Sequence, residues 1–415
     1  MTSREASMRA IVSTVALLAI LAVPTAAQNI QKKTPAKEDT WRATMQAALA
    51  AEKSGKYDEA EKLLKAALDR AESPSNDQRL VRALHSLGGI YEKEGKLSEA
   101  EPLYVREMEI WERSLGLSNL IVARGDAKLA AFFAAEKKYD DAENTYQRAL
   151  AVAARAAGPN NQTEVPILNG LAEVYRAVGR YEDAERVYQR SISISQASLG
   201  PDDPQVVECL NDLASLFAAE GKYAEAEPLY LEALAKVEKR MGPDTPYATP
   251  ILNNLADLYY SQKEYVKAEP CLVRSLAITE KARGPEDPDV AQVANSLGLV
   301  YDAEGKRDLA EPLYQRALKI WEKSSGPNHP NVAAVLNNLA ALYYAEGKYA
   351  DAEPLYKRSL AIVEHSPGPN SPETAQCLDN YAALLRKTNR EAEAEKMESR
   401  AKEIRSKAAE SDTTK

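Results

Sequence analysis

Residues 252–276 read LNNLADLYYSQKEYVKAEPCLVRSL, and residues 336–360, 84 positions later, read LNNLAALYYAEGKYADAEPLYKRSL. The two segments share four leucines and two alanines, and they also share a pair of adjacent asparagines. Agreement at a fixed separation indicates an internal repeat. Because the repeat retains Asn253 and Asn254 as Asn337 and Asn338, the asparagines need an explanation of their own.

Turn signals set the period of the repeat at 42 residues. Seven glycines recur at this spacing, most of them followed by proline, and they are Gly116, Gly158, Gly200, Gly242, Gly284, Gly326 and Gly368. Glycine followed by proline is typical of the end of a helix. A second series of tight turns, Gly-Lys or Gly-Arg, lies between them at 95, 179, 221, 305 and 347. The pattern predicts nine units of two helices each.

Apolar residues form one stripe on each helix of the unit, as Leu255, Ala256 and Tyr259 do on a first helix. The residue five positions after the tight turn is alanine in all nine units, namely Ala60, Ala100, Ala142, Ala184, Ala226, Ala268, Ala310, Ala352 and Ala394. Small residues at fixed places allow two helix axes to approach closely. The sequence therefore predicts an all-α protein built from helix pairs.

The first helix has a small residue at position 8 and an aromatic residue at position 11; glycine follows at position 15 and alanine at position 20. This pattern resembles the tetratricopeptide repeat, and the longer unit with LNNLA, LYY, EGKY and AEPLY resembles the kinesin light chain type. The resemblance covers residues 41–401. It implies a right-handed superhelical solenoid of nine helix-turn-helix repeats, with the first helices lining a concave groove. No heptad coiled coil precedes the repeats here, so we do not carry over a motor function.

The first residues have the order of a secretory signal peptide. Arg4 and Arg9 precede an apolar run over 10–23, and the small-residue segment TAA ends at Ala27. We expect cleavage after Ala27, and the alternative is an uncleaved N-terminal anchor. The predicted domains are a signal peptide (1–27), a polar linker (28–40), the repeat array (41–401) and a polar C-terminal tail (402–415). The mature protein is expected to be periplasmic or secreted, without an integral membrane segment.

The formal net charge of −9 argues against nucleic acid or anionic lipid as the main partner, since both require a basic surface. The three cysteines are Cys209, Cys271 and Cys377. Cys209 and Cys377 stand four repeats apart, too far for a disulfide in a stacked array. We expect them to be small buried residues.

Asparagine occupies position 5 of five consecutive first helices, as Asn169, Asn211, Asn253, Asn295 and Asn337. This position lies off the apolar stripe, and the resemblance implies that it faces the groove. A carboxamide can both donate and accept hydrogen bonds, which suits the backbone of an extended peptide. The alternative is that each amide bonds the neighbouring helix and tightens the stack. Positions 9 and 12, which vary, would supply specificity through Arg176, Asp257, Tyr260 and Tyr344.

No catalytic constellation is present in the sequence. The histidines His85, His329 and His365 lie in different repeats without metal-ligand spacing, and we expect no metal, cofactor, small-molecule substrate or enzymatic activity. We expect an exported scaffold that binds an extended segment of a partner protein in its groove. The alternative is a structural spacer or self-associating envelope component with no peptide ligand. The sequence does not identify the partner or the oligomeric state.

Overall fold

The structure is a computed structural model that describes residues 35–72 and 77–413. Within those ranges it contains 18 α-helices, one short 3-10 helix and no β-strand. The helices belong to two compact units, one ending at Leu216 and the other beginning at Phe217. The predicted signal peptide and the start of the predicted linker lie outside the described residues.

The N-terminal unit consists of four helix pairs followed by one further first helix. The bounds are α1 (Pro35–Lys53), α2 (Tyr57–Glu72), α3 (Asp77–Lys93), α4 (Leu97–Leu115), α5 (Leu120–Ala135), α6 (Tyr139–Ala157), α7 (Glu164–Ala177), α8 (Tyr181–Leu199) and α9 (Pro204–Ala219), the last of which continues three residues past the unit boundary. Odd-numbered helices are the first helices of the predicted repeats, and even-numbered helices are the second helices.

The C-terminal unit begins with a second helix and ends with four complete pairs. The bounds are α10 (Tyr223–Met241), α11 (Thr249–Ser261), α12 (Tyr265–Arg283), α13 (Pro288–Ala303), α14 (Arg307–Ser325), α15 (Pro330–Ala345), α16 (Tyr349–His365), α17 (Pro372–Lys387) and α18 (Glu391–Thr413). The 3-10 helix, Pro246–Ala248, precedes α11. The described helices thus match the nine predicted pairs.

The tight turn inside each repeat requires a left-handed residue. Glycine fills this place in six repeats, for example Gly305 with a φ of 77°. Lys137, Lys263 and Asn389 fill it in the other three and adopt φ values of 62°, 61° and 59°. Glycine is favoured here because it has no Cβ to penalise this conformation.

Small residues bring the two helices of a repeat together. The alanine five positions after the turn is completely buried in all nine repeats. Gly88, at position 8 of α3, leaves room for the ring of Tyr104 on α4, since a Cβ on Gly88 would lie 2.7 Å from that ring. Close packing of this kind accounts for the strict retention of small residues at these two positions.

A tyrosine-to-glutamate hydrogen bond joins successive repeats. The hydroxyl of Tyr343 on α15 donates to Glu311 on α14 at 2.7 Å, and Tyr301 on α13 donates to Glu269 on α12 at 3.2 Å. Lys306 pairs with the same Glu269 at 2.7 Å. Where position 11 of the next first helix is tyrosine, the glutamate that follows the buried alanine therefore accepts from its hydroxyl.

An arginine clasp joins the second helices. Arg358 on α16 donates to the carbonyl oxygen of Pro327 at 3.0 Å and pairs with Glu322 on α14 at 2.6 Å. The same arginine-to-proline contact is made by Arg274, Arg316 and Arg400. Proline after the helix-ending glycine thus offers a carbonyl that the next repeat recognises.

The fold-class prediction of an all-α tetratricopeptide repeat protein is confirmed. Cys209 and Cys377 are buried and Cys271 is half-buried, and all three are free. The first helix begins at Pro35, inside the predicted linker, and the last continues to Thr413 through the predicted tail. Proline suits the first turn of a helix because that turn needs no amide hydrogen there. None of the described helices is long and apolar enough to cross a bilayer.

Candidate functional site

The five asparagines at position 5 lie on one side of successive first helices, off the buried stripe. They are half-buried, whereas their neighbours on the stripe, such as Leu255 and Ala256, are buried. We call the exposed side that carries positions 5, 9 and 12 the first-helix face. Asn169 and Asn211 belong to this face in the N-terminal unit, and Asn253, Asn295 and Asn337 belong to it in the C-terminal unit.

In the N-terminal unit, Asn169 is tied to the second helix of its repeat and to the next first helix. The Ser191 hydroxyl on α8 donates to its Oδ1 at 2.6 Å. Its Nδ2 donates to the Cys209 sulfur on α9 at 3.5 Å. This amide therefore stabilises the stack of α7, α8 and α9.

In the C-terminal unit, the oxygen of each asparagine amide is held by a neighbour. Asn253 Oδ1 accepts from the Ser275 hydroxyl at 2.6 Å. Asn295 Oδ1 accepts from Asn338 Nδ2 at 2.9 Å, and Asn337 Oδ1 accepts from Asn380 Nδ2 at 3.0 Å. The last two bonds join position 5 of one repeat to position 6 of the next, so position 6 acts between repeats.

The nitrogen of each of these three amides has no hydrogen-bond acceptor among the described residues. Within the described residues, Nδ2 of Asn253, Asn295 and Asn337 donates to no protein acceptor. Because the oxygen is anchored, the amide plane is fixed and its two N–H groups have a set direction. The C-terminal unit thus carries three preorganised donors in equivalent positions.

Positions 9 and 12 differ between the two units. Arg176 on α7 is half-buried and pairs with Glu173, one turn earlier, which also accepts from the Tyr188 hydroxyl. The charges at this place in the N-terminal unit therefore neutralise each other. The ion pair restrains Arg176, one of the residues predicted to supply specificity.

In the C-terminal unit the same positions hold Asp257 and Tyr260 on α11, and both are exposed. The Tyr260 ring lies 5.3 Å from the ring of Tyr265, and Tyr344 lies 5.7 Å from Tyr349 in the equivalent arrangement. Burial raises the pKa of Asp257 to about 6. Water reaches this side chain, but neighbouring protein hinders the solvation of its carboxylate.

Second-helix tyrosines beneath this face were not singled out from the sequence. The Tyr104 hydroxyl donates to Glu92 at position 12 of its repeat, at 2.6 Å. Tyr314, at the equivalent place on α14, is completely buried, and its hydroxyl has no partner in the part of the chain that the structure describes. The available signal was the glycine at position 8, because Gly88 and Gly298 each make room for one of these rings.

Groups suited to catalysis or metal binding do not converge. Among residues 35–72 and 77–413, no three His, Cys, Asp or Glu side chains are arranged to hold a metal ion. His85 bonds Glu107 at 3.1 Å, and His329 caps α15 by accepting from the amide of Asn331 at 3.2 Å. A surface cavity of about 430 Å³ is lined by Asp77 on α3 and by Arg106 and Arg113 on α4.

The sequence model of the tetratricopeptide repeat family matches residues 39–113, 163–239, 247–323, 303–364 and 331–407. No curated protein matches the chain in sequence. Among solved structures, BtubC (BKLC) of P. vanneervenii is 28% identical with a TM-score of 0.50, covering 55% of this chain and 92% of that one. A Podosopora anserina protein assigned as a kinesin light chain is 23% identical with a TM-score of 0.44, covering 50% and 98%. A Rap protein complexed with Competence and Sporulation Factor is 17% identical with a TM-score of 0.51, covering 90% and 98%.

Proposed function

The chain belongs to the tetratricopeptide repeat family, and from that premise we propose that it is an exported scaffold that holds an extended segment of a partner protein against its first-helix face. The proposal depends on one observation, the row of asparagine donors in the C-terminal unit. Asn253, Asn295 and Asn337 have anchored oxygens and unpartnered nitrogens among the described residues. Amide N–H groups in register can donate to the backbone carbonyl oxygens of a peptide whatever its side chains.

Each of these amides can serve both roles considered for the asparagines, which are stabilising the helix stack and binding a peptide. The oxygen stabilises the contact between helices, and the nitrogen remains for a ligand. Fixing the amide before binding lowers the entropy lost when the peptide binds. A Rap protein of related fold has been crystallised with Competence and Sporulation Factor, which supports the view that a helical-repeat fold of this kind can hold a separate factor.

The first experiment uses peptides selected from a random dodecapeptide library displayed on phage and then synthesised with a fluorophore. We expect the triple variant, in which Asn253, Asn295 and Asn337 are all replaced by alanine, to bind the selected peptides with more than about tenfold lower affinity in fluorescence anisotropy titrations. Ser275→Ala is the comparison variant: it removes the bond that anchors the Asn253 oxygen but no N–H donor, and it is expected to weaken binding less than the triple variant does. Equal affinity for the wild type and the triple variant would show that the donors hold no peptide.

Export is a separate part of the proposal. The leader over 1–27 has the charged, apolar and small-residue segments of a signal peptide. The protein recovered from a cell envelope fraction is expected to begin at Gln28 when its N-terminus is sequenced. A chain that still begins at Met1 contradicts cleavage.

One observation favours the alternative, self-association. Val266 and Val273 on α12 are 79% and 45% exposed, and Leu231 on α10 is 46% exposed. An apolar row on the outer side of second helices could pack against a second copy of this chain. Sedimentation velocity of the wild type and of Val266→Glu combined with Val273→Glu tests this. A wild-type monomer at all concentrations removes the alternative.

A further inference from the structure

Asp257 is a carboxylate that the fold does not use. Its side chain has no hydrogen bond or ion pair with any described residue, although surrounding protein hinders its solvation. Glu173, at the equivalent position 9 of α7, is neutralised by Arg176. At position 12 of α11 the arginine is replaced by Tyr260. A poorly solvated charge without a partner destabilises a fold, so its presence points to a role outside the fold.

One helical turn after this carboxylate, Tyr260 contacts a second aromatic ring. Tyr260 is three residues from Asp257 on α11, is 37% exposed, and lies 5.3 Å from Tyr265. The faces of such rings attract cations. Of the two nearby lysines, Lys267 pairs with Glu264 at 2.6 Å and approaches Glu227 at 3.9 Å, whereas the exposed Lys263 forms no ion pair with a described residue. Within the described residues, neither ring has a cation over its face and Asp257 has no ion pair.

The next repeat adds a second acid and an unsatisfied hydroxyl. Asp302, at position 12 of α13, interacts electrostatically with both Tyr260 and Tyr314. Arg307 donates to Asp302 at 3.3 Å, and the Tyr314 hydroxyl is left without a partner among the described residues. Equivalent tyrosines do have carboxylate acceptors, because Tyr104 donates to Glu92 and Tyr188 to Glu173. A buried hydroxyl left unmatched is unfavourable, and this sets the surroundings of Asp302 apart from the equivalent places in the other two repeats.

We propose that Asp257, Tyr260 and Tyr265, together with Asp302 of the next repeat, form a subsite for a lysine or arginine side chain of the bound segment. This inference rests on the proposed function, since it assigns one side chain of the peptide that the asparagine row holds. The cation pairs with Asp257, and its aliphatic stem packs on the two tyrosine rings. The subsite places a basic residue at one fixed position of the ligand.

The test uses the same phage-displayed dodecapeptide library, selected in parallel on the wild type, on Asp257→Asn and on Asp308→Asn. Asp308 is an exposed carboxylate in the first turn of α14, so its variant removes the same charge away from the first-helix face. The wild type and Asp308→Asn are expected to enrich lysine or arginine at one position of the aligned peptides, and Asp257→Asn is expected to lose that enrichment. Circular dichroism confirms that all three proteins are folded.

A synthetic peptide from the wild-type selection and its analogue with norleucine in place of the basic residue complete the test. The analogue is expected to bind the wild type about tenfold more weakly, and to bind Asp257→Asn as well as the parent peptide does. Peptides that depend on the asparagine row but show no basic preference, or the same preference in Asp257→Asn, overturn the subsite and leave the proposed function standing. Failure to recover any peptide whose binding depends on the asparagine row overturns both the subsite and the proposed function.

Discussion

The chemistry of single residues explains why this chain repeats an asparagine as faithfully as a leucine. Asn253 accepts from Ser275 through its oxygen and keeps its nitrogen for another acceptor. The sequence predicted that the position-5 amides occupy equivalent places on one face. The sequence could not show that the amide oxygen is bonded within the protein and the nitrogen is not. That depends on Ser275 of a second helix and on Asn338 and Asn380 of following repeats.

Two buried tyrosines in equivalent positions should respond differently to loss of their hydroxyl groups. Tyr188→Phe removes a hydrogen bond to the carboxylate of Glu173 and is expected to lower the free energy of unfolding by about 1.5–3 kcal/mol. Tyr314→Phe removes a hydroxyl that has no partner among the described residues and is expected to leave stability unchanged or raise it. Urea denaturation measures the free energy of unfolding of both variants. Equal destabilisation would contradict the assignment of an unsatisfied hydroxyl to Tyr314.

The titration of Asp257 gives a stability effect with a definite sign. Its folded pKa of about 6 lies above the ordinary value of 3.8. The unfolded chain therefore loses this proton first as the pH rises, and the fold loses stability between about pH 4 and pH 6. Asp257→Asn lacks this loss. Its melting temperature minus that of the wild type is expected to increase from pH 4 to pH 6.5 and then stay constant, and a difference that falls with pH contradicts the assignment.

At the scale of the helix pair, glycine at position 8 is explained by the ring that crosses it. The sequence predicted a small residue there, but only the structure shows that Tyr104 fills the space over Gly88. The residues that the clasp arginines contact could not be predicted from the sequence either. Only the structure shows that Arg358 pairs with Glu322, near the end of the preceding second helix, and donates to the Pro327 carbonyl.

Adjacent glycines in α3 provide a matched test of this packing. A Cβ on Gly88 would lie 2.7 Å from the Tyr104 ring, whereas a Cβ on Gly89 would have its nearest contact at 4.0 Å. Gly89→Ala is expected to raise the free energy of unfolding by up to about 1 kcal/mol, because alanine favours the helix. Gly88→Ala is expected to lower it by about 1 kcal/mol despite the same helix preference, because the ring must move. The same sign for both variants contradicts the packing.

The arginine clasp makes a smaller contribution that can be measured in the C-terminal unit. Arg358→Ala removes the pair with Glu322 and the bond to the Pro327 carbonyl. Because Arg358 is partly exposed, the expected loss of unfolding free energy is about 1 kcal/mol. The exposed Lys319 on α14 is the control, and Lys319→Ala is expected to change stability by less than about 0.5 kcal/mol. Equal effects would show that the clasp adds nothing to stacking.

At the scale of the whole molecule, the repeat period carried most of the prediction. Nine recurring pairs of helices follow from glycine, proline and alanine in strict phase, because each repeat must bury its apolar stripes against its neighbours. The repeat period did not predict which acidic residues of the first-helix face have a charged partner. Glu173 and Asp257 occupy the same position, and only their surroundings distinguish a neutralised acid from an unpartnered one.

A crystal structure of the protein with a library-selected peptide would show directly whether the asparagine row binds a peptide backbone. We expect an extended peptide on the first-helix face of the C-terminal unit, with backbone carbonyl oxygens within hydrogen-bond distance of Nδ2 of Asn253, Asn295 and Asn337. A peptide seated on the outer side of the second helices, with those three amides untouched, would contradict this expectation.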